Sequence, residues 1–148
     1  MPAAVSMSIE EKILAASKIM VNILAQSLLH GKNRSLSAPQ FRILDMVYHV
    51  TDKPTDIAKM LDVSPPSITW MLERLEKGGF LKRETSTKDR RRIVLTLTGM
   101  GKDVVERVNA RRMAYIYRIL KMMDAKTVRQ LDESLSAFSD SYLRLKED

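Results

Sequence analysis

The 148-residue sequence has no cysteine and only two histidines. The lack of cysteine excludes a disulfide scaffold, a thiolate metal site and a thiol nucleophile. Because the two histidines lie far apart, we expect no metal centre and no cofactor. No apolar run approaches the ~20 residues that span a bilayer. The N-terminus also lacks a basic start followed by an apolar stretch, so we expect no signal peptide, no membrane partner and a cytoplasmic location.

Basic residues outnumber acidic ones, with 25 lysines and arginines against 18 aspartates and glutamates, and the net charge is +7. The hydrophobic fraction of 45% is typical of a globular chain. At this length, about 68–70% of the unfolded surface can be buried, which is enough for a core without disulfides. The positive excess concentrates in the middle of the chain, where residues 53–92 carry ten basic and six acidic side chains. This distribution favours a polyanionic partner.

Apolar spacing predicts six helices and two strands. The predicted helices span residues 8–30, 38 to about 50, 54–61, 65–77, 100 to about 123, and 124 or 125 onward, with a polar loop at 32–37. The predicted strands span residues 80–85 and 92–97, and Ile93, Leu95 and Leu97 share one face of the second strand. The fold class is therefore mostly α with a small β-hairpin wing. We expect a winged helix-turn-helix domain at residues 36–99, with helical dimerisation regions at residues 1–35 and 100–148.

The third and fourth predicted helices form a candidate helix-turn-helix, because a short turn joins them. Asp62 occupies the turn, where a positive φ is needed and aspartate is better tolerated than most residues. Ser64 is a strong N-cap, with Pro65 and Pro66 at the first two helical positions. Any packed pair of helices would satisfy this pattern equally well, so the following hairpin has to decide between the two interpretations.

The hairpin loop carries the basic cluster of Lys88, Arg90 and Arg91, interrupted by Asp89. Arginines on such a wing can reach phosphates or a narrow minor groove, where the negative potential is focused. Asp89 fits two roles, which are compatible: it can orient a neighbouring arginine, or it can form the turn. The hairpin therefore predicts a DNA-binding wing.

The fourth helix supplies the other candidate DNA contacts on the face away from its apolar residues. Hydroxyls and basic groups there suit phosphates and bases. Trp70 would present an apolar surface to a thymine methyl or a sugar, unless it is partly buried against the wing. The predicted DNA-binding residues are Ser64, Pro65, Pro66, Ser67, Thr69, Trp70, Arg74, Lys77, Lys88, Asp89, Arg90 and Arg91.

Several motifs then occur together at matching spacings: FRIL at residues 41–44, DIA at 56–58, SPPSIT at 64–69, RLEKGGFLKR at 74–83, DRR at 89–91, LTLT at 95–98 and a glycine at 101. By these motifs the sequence resembles the MarR family of bacterial and archaeal transcriptional regulators. The resemblance implies a homodimer whose first and last helices interlock, with the fourth helix in the major groove of double-stranded DNA. It also implies that Asp89 orients Arg91 in the minor groove, that Arg74 and Arg90 hold phosphates, and that the operator is pseudo-palindromic with half-sites about 34–36 Å apart.

The sequence departs from the family pattern at three points. Asp62 stands where the turn glycine is usual, and Trp70 is bulky where a smaller side chain is common, so base preference does not transfer. The absence of cysteine excludes the oxidation-sensing branch of the family.

Many family members bind a small, often aromatic and anionic, molecule that lowers their affinity for DNA. Candidate contacts for such an effector are Met20, Leu24, Met46, Tyr48 and Tyr115, with Arg111 or Arg112 as the anion partner. The same side chains also fit a role in the core or the dimer interface.

Apolar residues at positions 128, 131, 135, 138, 142 and 145 form a heptad-like seam, which predicts a partner surface supplied by a second copy of the chain. The predicted function is thus a dimeric, sequence-specific DNA-binding regulator, a repressor that a small aromatic or anionic ligand would release. The alternative is a winged-helix protein-interaction module without DNA binding, against which the basic wing argues. No nucleophile set, phosphate loop or paired carboxylates appear, so we expect no enzyme activity.

Overall fold

The computed structural model describes residues 6–30 and 36–145. Its helices are α1 Ile9–Leu29, α2 Ala38–His49, α3 Pro54–Leu61, α4 Pro65–Lys77, α5 Gly99–Leu120 and α6 Ala125–Leu145. Its strands are β1 Leu81–Thr85 and β2 Ile93–Leu97, which pair antiparallel with Leu81 opposite Leu97. The predicted order of helices and hairpin is confirmed. Most of the predicted polar loop at 32–37 lies outside the described residues.

Serine residues begin three of the helices. The side chains of Ser8, Ser37 and Ser64 each accept a hydrogen bond from the backbone N–H three residues ahead. At α1 and α2 the third residue returns the bond, which makes a full capping box. α3 differs, because its N-cap is Lys53 and it begins at a proline without a side-chain cap. These local bonds explain why the predicted helix starts agree with the structure.

The turn between α3 and α4 is left-handed at Asp62, with φ 52° and ψ 50°. Asp62 is the one non-glycine residue with positive φ in the part of the chain that the structure describes. Its backbone N–H donates to the Lys59 carbonyl at 3.2 Å and so closes the end of α3. This confirms the prediction that Asp62 adopts the positive φ for which the turn usually has a glycine.

The chain divides into two compact units, Met1–Arg112 and Met113–Asp148. In the first unit, apolar side chains from α1 to α4, the hairpin and the start of α5 form one core. The most deeply buried members are Phe41, Ile43, Leu44, Ile57, Leu75, Leu81 and Val105. This core fixes the orientations of α4 and of the hairpin. The expected domain boundaries at residues 36–99 stay a prediction.

The starts of both strands, the end of α5 and the burial of one side chain differ from the sequence prediction. Both strands begin one residue later than predicted. Leu95 and Leu97 are buried as expected, but Ile93 is 52% exposed, because it lies at the end of the hairpin nearest the loop. α5 ends at Leu120 rather than near Met123. The Lys121 N–H still bonds four residues back, to Tyr117, but the N–H groups of Met122 and Met123 bond only three residues back, as in a turn.

The second unit contains α6, none of whose residues is buried. Asp124 caps this helix, because its carboxylate accepts the Thr127 backbone N–H at 2.9 Å. This arrangement confirms the predicted start at residues 124–125. The predicted seam exposes its large side chains, including Leu135, Phe138 and Leu145. The apolar face of α6 is therefore exposed in the single chain.

α1 is a second helix with an exposed apolar surface, on which Ile9, Leu14 and Val21 are each more than 60% exposed. By length and composition alone, α1 is long and apolar enough to cross a membrane, with a mean hydropathy of 1.3. The expectation that no such segment exists was wrong for α1. Isolated lysines interrupt the run but leave its average apolar. Helices that pack against protein meet the same criterion, so this finding is weak evidence for a membrane.

Candidate nucleic-acid interface

α4 has one buried and one exposed face. Ile68, Leu72 and Leu75 point into the core, and their burial fixes the rotation of the helix about its axis. The eight predicted contact residues are therefore all exposed, as the sequence periodicity indicates: Ser64, Pro65, Pro66, Ser67, Thr69, Trp70, Arg74 and Lys77. The structure brings them together as one surface of the first unit.

The hydroxyl groups at the start of α4 have partners of their own. The Ser64 and Ser67 hydroxyl oxygens lie 2.9 Å apart, and the Thr69 hydroxyl donates to the Pro65 carbonyl at 2.9 Å. A phosphate or base contact from any of them would replace one of these local bonds.

Trp70 is 57% exposed, which argues against its burial beneath the wing. The Arg74 guanidinium lies over the Trp70 ring, with its Cζ 4.9 Å from the ring centroid. This cation–π contact restricts both side chains on the exposed face. Together with Lys77 and Arg83 they line an open cleft of about 640 Å³. An aromatic plane and three cations thus share one surface.

An ion pair joins α4 to the hairpin. Glu76 Oε2 accepts from Arg83 Nε at 2.9 Å and lies 2.7 Å from Arg83 Nη2, while Glu76 Oε1 accepts the Arg83 backbone N–H. The hydrogen bond from the Arg83 side chain lowers the pKa of the Glu76 carboxyl below its ordinary value. Sequence reasoning missed this pair. Its signal was the opposite charges on either side of Gly78-Gly79, where the chain has to reverse.

The loop between β1 and β2 exposes Lys88, Arg90 and Arg91, while Asp89 is half-buried. Asp89 Oδ1 accepts the Arg91 backbone N–H at 3.0 Å, and Asp89 Oδ2 lies 3.3 Å from Arg92 Nε. The carboxylate therefore holds the side chain of Arg92, rather than that of Arg91 as the family resemblance implied. The turn puts the backbone of Arg91 against Asp89, which directs the next guanidinium toward the carboxylate.

A second open cleft, of about 540 Å³, separates the start of α3 from the loop end of the hairpin. Its basic lining residues are Lys53, Arg91 and Arg92. The sequence analysis did not identify Lys53 or Arg92 as candidate contacts. For Lys53 no local signal exists, because almost forty residues separate it from the wing.

The candidate effector residues have varied surroundings. Leu24 is part of the core, and Met46 is partly buried against that core, whereas Met20 is exposed. The Tyr48 hydroxyl donates to Glu106 Oε1 at 2.7 Å, which raises the pKa of Tyr48. Arg111 Nη1 donates to the Ser27 carbonyl at 3.0 Å. Tyr115 belongs to the second unit, with the Arg118 guanidinium 5.9 Å from its ring centroid. An effector site at these residues stays a prediction.

Among the residues that the structure describes, no group of three histidine or acidic side chains could hold a metal ion. The interface residues are instead basic, hydroxylic and aromatic, and these are the side-chain types that contact nucleic acid.

The chain is similar in sequence to known proteins. Residues 36–93 match the model of the MarR family. The chain is 32% identical over 114 residues to the HTH-type transcriptional regulator YfiV of Bacillus subtilis, over 76% of this chain and 71% of YfiV. It is also 32% identical over 117 residues to the HTH-type transcriptional repressor YetL of the same organism, over 72% of this chain and 70% of YetL. The chain belongs to the MarR family.

A solved structure agrees with membership of the MarR family. RV1404 from Mycobacterium tuberculosis matches with a TM-score of 0.79 and 30% identity, over 90% of each chain. The predicted family and winged-helix fold class are confirmed. As a member of the MarR family the protein is a DNA-binding transcriptional regulator and not an enzyme. These comparisons do not support the alternative of an interaction module without DNA binding.

Proposed function

We propose that this MarR protein is a cytoplasmic, homodimeric repressor that reads a pseudo-palindromic operator. The observation that carries the proposal is the pairing of two exposed elements on one unit. α4 presents Trp70 and Arg74, and the adjacent hairpin presents a basic loop. The Glu76–Arg83 ion pair links the two elements, so they approach DNA as one surface.

In this proposal α4 enters the major groove and places its exposed face on base edges and phosphates. Trp70 contacts a thymine methyl or a sugar, because its ring is exposed and apolar. Arg74 and Lys77 supply positive charge beside it. The hydroxyl-bearing first turn of α4, from Ser64 to Thr69, lies close enough to donate to bases or phosphates.

The wing approaches the adjacent minor groove. Lys88, Arg90 and Arg91 are exposed on its loop, and an arginine is favoured where the minor groove is narrow. Asp89 supports this loop by accepting the Arg91 backbone N–H. Its contact with DNA is thus indirect, through the conformation of the loop.

The dimer would cover the apolar surfaces of α1 and α6, which expose Ile9, Val21, Leu135 and Phe138. MarR regulators act as dimers, and a two-fold dimer would read half-sites about 34–36 Å apart. The similarity to a repressor such as YetL supports repression as the sign of regulation. Release by a small aromatic or anionic effector is part of the same proposal and rests on the family resemblance.

The test begins with selection of duplexes from a random library by the full-length protein. The dissociation constant for the selected duplex is then measured by fluorescence anisotropy at several salt concentrations, beside a scrambled duplex of equal length. We expect tighter binding to the selected duplex that persists as the salt concentration rises. Equal binding to both duplexes, lost steeply with salt, would mean phosphate attraction only and would overturn the proposed operator.

The Arg91→Ala variant tests the wing. We expect it to weaken binding to the selected duplex at least tenfold, while thermal stability and molecular mass stay as in the parent. Unchanged affinity in this variant would remove the wing arginine from the proposed interface.

A further inference from the structure

We propose that the cleft between the start of α3 and the loop end of the hairpin is a binding site for a phosphodiester group of the DNA backbone, and that Lys53 is a DNA contact. This inference rests on the proposed function and deepens it. It adds Lys53 and Arg92, two residues outside the predicted contact set, to the interface.

Charge is the first argument for this site. Lys53, Arg91 and Arg92 line the cleft, and Asp56 is the one acidic residue in its lining. The Asp56 carboxylate accepts a hydrogen bond from the Thr51 hydroxyl at 3.3 Å, which holds it toward the loop before α3. Asp89, outside the lining, offsets Arg92, so three cations against two carboxylates leave the cleft with a net positive charge that suits an anion.

The second argument is that these cations still have nitrogens available to bind an anion. Within the described part of the chain, neither the Lys53 ammonium nor the Arg91 guanidinium forms an ion pair. Arg92 pairs with Asp89 through Nε at 3.3 Å, which leaves its terminal nitrogens available to donate. A phosphate oxygen can therefore be bound here without breaking an existing ion pair.

Backbone hydrogen bonds give the cleft fixed walls. The Leu95 N–H of β2 donates to the Asp52 carbonyl at 2.8 Å, which joins the wing to the loop before α3. The Lys53 N–H donates to the Thr51 hydroxyl at 3.2 Å. On the opposite wall, the Arg92 N–H donates to the Asp89 carbonyl at 2.9 Å. These bonds fix the backbone of both walls, so only the side chains of the cations have to be ordered on binding.

The position of the cleft identifies the anion. It lies beside the loop end of the hairpin, and a wing arginine that enters the minor groove passes beside the phosphates at the edge of that groove. A backbone phosphate there lies within reach of the side chains that line the cleft. The occupant is thus a phosphodiester of the same duplex that α4 reads.

The first experiment compares the parent with Lys53→Ala and with Lys102→Ala on the selected duplex. Lys102 is an exposed lysine of the same unit that lines a different cleft, so it controls for the loss of one charge. The slope of log K against log salt concentration should become less steep by about 0.9 per protomer in Lys53→Ala. The slope of Lys102→Ala should match that of the parent. An unchanged slope in Lys53→Ala would overturn the inference.

The second experiment replaces single phosphates of the duplex with uncharged methylphosphonates. We expect one position per half-site where replacement weakens the parent several-fold but leaves Lys53→Ala almost unaffected, with equal losses elsewhere. If both proteins lose the same affinity at every position, Lys53 does not contact the backbone, even where the parent reads its operator. A small anion in the cleft would also give identical patterns and would overturn the inference. If the parent selects no sequence, the proposed operator fails, while salt slopes on any duplex still decide about Lys53.

Discussion

Trp70 is the only tryptophan in the chain, and its ring is more than half exposed on α4 beside Arg74. Its fluorescence therefore comes from the proposed reading surface alone.

We expect the emission of Trp70 to shift to shorter wavelength when the selected duplex covers the ring. Trp70→Ala should weaken binding to that duplex by about 1–3 kcal/mol, the usual loss for one base contact, with little effect on a scrambled duplex. Trp70→Phe is the matched control and should keep part of the affinity. An emission spectrum that stays the same at saturating operator would place Trp70 outside the interface.

Glu76 gives the clearest dependence of stability on pH. Its carboxyl has a lowered pKa in the folded protein because Arg83 hydrogen-bonds the charged form. The stabilisation is complete above the ordinary glutamate pKa of about 4.3, and it is lost as the pH falls through the lowered folded value. Because the Glu76 side chain is 36% exposed, the pair should contribute less than about 1 kcal/mol.

The measurement is the melting temperature of the parent and of Glu76→Gln at pH 7 and at pH 3. We expect a lower melting temperature for the variant at pH 7 and a smaller difference at pH 3. Glu73→Gln, on the same helix and without a described ion pair, should match the parent at pH 7. A gap of equal size at both pH values would contradict the assigned cause.

The exposed residues of α4 could be predicted from the sequence, because the spacing of Ile68, Leu72 and Leu75 fixes which face is buried. The ion-pair partner of Asp89 could not be predicted from the sequence. Three consecutive arginines follow it, and the conformation of the turn decides which guanidinium reaches the carboxylate. Lys53 was equally hidden, since its neighbours in the cleft come from a distant part of the chain.

At the scale of elements, helix starts were predictable because serine caps act over three residues, within the reach of sequence reasoning. Strand limits and the end of α5 were less so, since they depend on which backbone groups find partners across the hairpin or in a turn. The packing of α5 against the hairpin could be found only in the structure. There Gly101 is buried in the first turn of α5, next to Phe80.

A β-carbon at Gly101 would overlap the Phe80 carbonyl oxygen. That carbonyl is held in place by the Thr98 N–H at 3.1 Å, so it cannot easily move away. Gly101→Ala should therefore destabilise the protein by about 1–3 kcal/mol in urea unfolding. Gly99→Ala, two residues earlier and with no atom within 4 Å of its β-carbon, should be neutral or stabilising by up to about 1 kcal/mol. Equal effects of the two variants would rule out the steric explanation.

For the whole molecule, the exposed apolar side chains of α1 and α6 predict that two copies of the chain associate. Light scattering should give about twice the 16.9 kDa mass of one chain. Phe138→Asp should shift the protein toward the monomer, because it puts a charge in the predicted seam. Ser136→Asp adds the same charge to an exposed position outside that seam and should stay dimeric. A monomeric parent would contradict the proposed interface.

The absence of any buried residue in α6 links folding to the amount of protein present. Most of the stability of a helix in a protein comes from packing of its apolar face, so much of the free energy that orders α6 has to come from association. By mass action, dilution then lowers the melting temperature as well as the fraction of dimers. The copy number of such a regulator would set both how many operators are occupied and how much of each chain is folded.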